Sequence, residues 1–276
     1  MPKQLGIIFK DELIFSELIK SINEIFPYLE VKVMSNYVDI HKSNINDSNL
    51  VKVGSVKEIL ETDCLIILCD INSIKDIIKS YRGTIIDFTG YVGNLTEKVI
   101  QIEDPLVYIL NKLFEDLSDI SGNIYLPVAI FGKMGVEELL KQMQDLFNFN
   151  TAKDSFYNLN LPFNVIFLDN LDISPIKNYI AYIKERIDAD FSYRLLPVMS
   201  GIIMDIFSVR EPYLNGIEYV DTYNDLVSLV NNKDMSIVKK GVNFYSLTIA
   251  CDYIKVIVKQ ITSCLKNLES IDDISR

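Results

Sequence analysis

The chain has 276 residues, a length that suggests roughly two domains. Its 49% hydrophobic and 24% charged residues suit a globular protein with a full core, while a net charge of −11 argues against DNA or RNA, whose phosphates select for clustered Lys and Arg. No apolar run approaches the ~20 residues needed to cross a bilayer. Lys10 and Asp11 arrive too early for a signal-peptide core, so the expected location is cytoplasmic, with no membrane partner.

The opening stretch "LGIIFKDELIFSELIKSI" (5–22) joins a buried-strand run to a helix in which Phe15, Leu18, Ile19 and Ile22 share one face. A dinucleotide-binding βαβ unit begins this way, but its first turn needs glycines. Phe9, Glu12 and Phe15 stand in their places. Strand-like runs then alternate with helical ones. "LEVKVMS" (29–35) reads as a strand, "YVDIHKSNINDSNL" (37–50) as an insert and "DCLIILC" (63–69) as a buried strand. A helix is expected over 72–81, strands over 83–89 and 97–102, and a helix over 104–117 opened by Asp104 and Pro105. This alternation predicts a parallel, doubly wound sheet.

The second half has strands in succession with few crossovers. Strands are expected over 123–131 and 162–168, and one long strand or a pair over 193–209, interrupted near Ser200 and Gly201. Another strand is expected over 242–250. Helices are expected over 135–147, 174–187 and 223–232, with a long one from Cys251 onward. The pattern implies a mostly antiparallel sheet with helices on one face.

Little here supplies titrating chemistry. Cys64, Cys69, Cys251 and Cys264 lack metal-ligand spacing and read as small buried residues of a reducing compartment. The single histidine, His41, sits in a polar stretch and is expected to be exposed. Asp169, Asp172, Asp188 and Asp190 read as solvated loop acids, so no metal site is expected. "GKMG" lacks the rest of a phosphate-binding loop and reads as a helix-opening turn.

Four stretches, taken in order, resemble the aspartate-semialdehyde dehydrogenases. "TIIDFT" (84–89) is similar to that family's "VIDNSS", and "GKMGVEELLKQ" (132–142) to the stretch after its catalytic glutamine. "PFNVIF" (162–167) is similar to "FNVIP", and "LPVMSGIIMDIFSVREP" (196–212) to "VPVxxGHxxxVxxxxxxP". The resemblance implies a Rossmann-like domain over 1–121 plus 250–276, closed by a returning helix, and an inserted α+β dimerisation domain over 122–249. It also implies a homodimer.

Carried across, the family's machinery meets replacements throughout. The cofactor-loop glycines fall on Phe9, Glu12 and Phe15, and the late cofactor-binding asparagine falls near Ile261. The cysteine nucleophile falls near Val107 (a shift of one residue gives Leu106 or Tyr108), the glutamine on Leu126, the substrate-carboxylate arginine on Leu195 (beside Arg194) and the histidine base on Ile202. Thioester catalysis needs a thiolate and acid–base work a titrating group, and these alkyl side chains are neither. The expectation is a non-catalytic scaffold or partner-binding subunit without a cofactor, dimerising with itself and available to another protein. The alternative is an active NAD(P)-dependent oxidoreductase of the aspartate-semialdehyde dehydrogenase type with displaced site residues, with NADP as its cofactor and Cys64 and Cys69 as the candidate thiols.

Overall fold

A computed structural model describes residues 4–35, 51–69, 71–90, 92–150, 159–169, 171–213, 218–219, 235–240 and 245–274. The insert expected over 37–50, with His41, and the helix expected over 223–232 lie outside these residues. The chain divides into two compact units, Met1–Asp104 with Ile257–Arg276, and Pro105–Val256.

The first unit is built on six strands: β1 (Gln4–Phe9), β2 (Glu30–Met34), β3 (Val51–Val53), β4 (Cys64–Leu68), β5 (Thr84–Asp87) and β6 (Val99–Gln101). They lie in the order β3-β2-β1-β4-β5-β6, and every pairing is parallel. Parallel strands need crossovers, and helices on both faces leave the central strands no solvent side. That is why all five residues of β4, and five of the six in β1, are buried. The crossover helices are α1 (Glu12–Ile25), α2 (Val56–Leu60) and α3 (Lys75–Ser80). α1 buries Phe15, Leu18, Ile19 and Ile22, the stripe that its sequence spacing predicts. Strand order reverses between β1 and β4. In an open α/β sheet, the carboxyl ends of the strands at such a reversal are where ligands bind.

The second unit contains α4 (Pro105–Leu113), β7 (Ile120–Leu126), α5 (Lys133–Phe147), β8 (Ile166–Phe167) and α6 (Ser174–Lys184). It continues with β9 (Asp190–Leu195), β10 (Gly201–Ser208), β11 (Glu218–Tyr219), β12 (Met235–Lys240) and β13 (Tyr245–Asp252). A final helix, α7 (Tyr253–Ile274), starts directly after β13 and ends in the first unit. The sheet runs β11-β12-β13-β10-β7-β9-β8. The pairs β7–β10, β10–β13, β12–β13 and β8–β9 are antiparallel, and β7–β9 and β11–β12 are parallel.

Two boundaries differ from the sequence expectation, and one alternative is decided. The strand expected over 123–131 starts at Ile120 and stops at Leu126, because Pro127 has no N–H to donate to a ladder. Val128–Phe131 then form a 3-10 turn, with the Val128 and Ala129 N–H groups bonded to the Val198 and Met199 carbonyls. The stretch 193–209 is the pair of strands that the sequence left open, with the break running over 196–200 and containing Pro197. Only Ile166 and Phe167 of "PFNVIFL" pair as a strand.

Candidate functional site

The crossing from β1 to α1 in the first unit is the place to look for a cofactor. Phe9 ends β1 and Phe15 lies in the second turn of α1, and neither is exposed to solvent. Their rings stack face to face, with centroids 3.8 Å apart and planes within 7°. Such a pair adds about 0.5–1.5 kcal/mol beyond the burial of its area. Between the rings in sequence, Asp11 caps the helix, its carboxylate accepting the Leu13 N–H at 2.7 Å. Glu12 follows in the first turn of α1. A helix N-terminus attracts anions through its unpaired N–H groups and dipole. Here the chain supplies the anion from its own side chain.

The neighbouring strand ends are also tied to the protein itself. The Lys10 N–H bonds the Leu68 carbonyl at 3.2 Å, locking the turn to the end of β4. At the end of β5 the fully buried Asp87 carboxylate accepts the Thr89, Gly90 and Val92 N–H groups at 2.8–3.1 Å and the Thr89 hydroxyl at 2.7 Å. Those bonds organise the loop that follows, in which Gly90 takes φ 81°. Ile261 is fully buried on α7. Next to it, the Gln260 side-chain amide accepts the Glu103 N–H at 3.2 Å and donates to the Glu103 carbonyl at 3.1 Å.

In the second unit, strand register places three of the singled-out residues at one level. Leu126 on β7 is opposite Leu195 on β9. Ile203 on β10 is opposite Tyr125, so Ile202 and Leu126 occupy the next level of those two strands. Ile202 is in turn opposite Cys251 on β13. Residues directly opposite across a sheet share a face. Cys251, Ile202, Leu126 and Leu195 therefore form one row, and all four are fully buried. Val107, in the first turn of α4, is 5% exposed. The row is a hydrocarbon core layer with one thiol in it.

The opposite face of this sheet carries a line of polar groups. Thr248 donates to Asp205 at 2.7 Å, Asp205 stands opposite Asn123, and Arg194 donates to the Asn123 side-chain oxygen. The Arg194 guanidinium lies 5.4 Å from the Tyr125 ring centre and 5.0 Å from that of Phe167. Arg194 is thus engaged by its own sheet, on the face away from Leu195.

The other thiols are withdrawn from chemistry in different degrees. Burial pushes the Cys64 thiol from its ordinary 9.0 up to about 12, which leaves it protonated at neutral pH. The half-buried Cys264 is raised by burial as well, and Cys69 is buried just past β4. Two of the four acids have partners for their side chains, Asp169 accepting the Tyr193 N–H at 2.9 Å and Asp172 pairing with Lys177 at 2.7 Å, while Asp190 opens β9 and is not in a loop. Among the described residues, no group of three or more His, Cys, Asp or Glu could hold a metal ion, and no helix is long and apolar enough to cross a membrane.

Known structures match nearly the whole chain. The aspartate semialdehyde dehydrogenase II of Vibrio cholerae, solved in complex with ASA, superposes at a TM-score of 0.73 with 15% identity, covering 97% of this chain and 99% of that one. The fold is that of an aspartate-semialdehyde dehydrogenase. A probable aspartate-semialdehyde dehydrogenase from Pseudomonas aeruginosa matches at 0.69 and 14% identity, covering 96% of this chain and 98% of that one. The Francisella tularensis enzyme matches at 0.66 and 10%, covering 95% and 99%. No protein-family model and no curated protein matches the sequence.

On this dehydrogenase fold, two features were not foreseen from the sequence. One is the alignment of Leu126, Leu195, Ile202 and Cys251, which depends on the register of strands far apart in the chain. The other is the polar ladder from Thr248 to Arg194. Its signal was the alternation in "GNIYL" and "DFSYRL", where every second residue is polar or amphipathic.

Proposed function

We propose that the chain is a non-catalytic relative of the aspartate-semialdehyde dehydrogenases, acting as a homodimeric scaffold or partner-binding subunit. The observation that carries this reading is the stacked pair Phe9 and Phe15, with the Asp11 cap between them, at the reversal point of the parallel sheet. A dinucleotide phosphate at that turn needs small residues for close approach and N–H groups left for its oxygens. Two aromatic side chains take the space, and a carboxylate takes the Leu13 N–H and adds repulsion. The residues present do not fit the cofactor. The buried row of Leu126, Leu195 and Ile202 supports the same reading, since none of these side chains can hold or move a proton.

A thermal-shift titration of the purified chain with NADPH and NADH tests this. A ligand present at 100 times its Kd stabilises a protein by about 2.7 kcal/mol, a shift of several degrees. The expected result is no shift up to 1 mM of either nucleotide. Clear stabilisation at sub-millimolar concentration, or turnover of an aldehyde by the chain alone, would overturn the reading in favour of an active oxidoreductase.

A further inference from the structure

We draw no further inference here: the strongest candidate, the apolar stripe of Val136, Leu140, Met143 and Phe147 along one side of α5, leaves Leu140 and Phe147 exposed, but nothing in the structure shows what covers it.

Discussion

Phe15 fills a site that a glycine would leave open, and its removal has a measurable cost. Truncating a fully buried Phe loses its transfer energy and leaves a cavity, about 3–5 kcal/mol together, here with the stacking of Phe9 lost as well. Phe15→Ala should therefore lower the urea midpoint sharply while the slope of the transition stays the same. Asp11→Ala removes only a cap, worth about 1 kcal/mol, so the two variants should rank clearly by chemical denaturation. The comparison measures packing against capping within one turn. Cys64 makes a prediction about pH. Its folded pKa lies above its unfolded one, so the fold favours the protonated thiol. The resulting stability is fully present below the ordinary value of 9.0 and is lost as pH climbs from there to about 12. Buried Tyr81 is raised by burial too and acts in the same direction. Melting temperature should fall steadily over that alkaline window, and Cys64→Ala should flatten part of the decline. In the folded protein at pH 7.5, alkylation followed by peptide mapping should find Cys64 unlabelled.

Short elements depend on their ends more than on their interiors, and α2 is the clearest case. Its five residues are too few to be stable by propensity alone. Ser55 accepts the Glu58 N–H, and the Glu58 carboxylate accepts the Ser55 N–H at 2.7 Å, a reciprocal cap. The Ser55 N–H, together with the Ser55 hydroxyl donating to the same carboxylate, holds the Glu58 carboxyl below its ordinary range. Ser55→Ala should cost about 0.5–2 kcal/mol and speed amide hydrogen exchange within α2 before any change in the central strands. Gly122 is an opposite case, inside a strand. It adopts φ 156°, and an added Cβ would run into the Asp205 carbonyl, so Gly122→Ala should destabilise the second unit by at least 1–3 kcal/mol. Much of this architecture was legible in the sequence. The 3.6-residue spacing of α1 named the four residues that it buries, and the β/α alternation predicted the parallel sheet. What escaped was short or non-local. β3 and α2 are too brief for periodicity to register, although "SVKE" carried the capping signature. The Pro127 break was written in the sequence and outweighed by the apolar run around it. The row through Leu126 and Ile202 could not be read at all, because pairing between β7 and β10 is a tertiary choice.

At the scale of the molecule, the proposed self-association rests on the second sheet. One face is the buried layer that includes Leu126, Leu195 and Ile202, while the other leaves Phe167 and Phe207 at 58% and 45% exposure. Light scattering after size exclusion at micromolar concentration should report about twice the chain mass of 31.6 kDa. A monomer at that concentration would remove the homodimer from the proposal and leave the cofactor question untouched. The closing helix α7 sets a different constraint. It brings Ile261 and Leu265 into the interior of the first unit and ties Gln260 to Glu103. During synthesis the ribosome must therefore translate all of Pro105–Val256 before the six-stranded unit can receive its last piece. Until then the nascent amino-terminal half carries an uncovered apolar surface, a stretch of the chain's life in which a chaperone would find it.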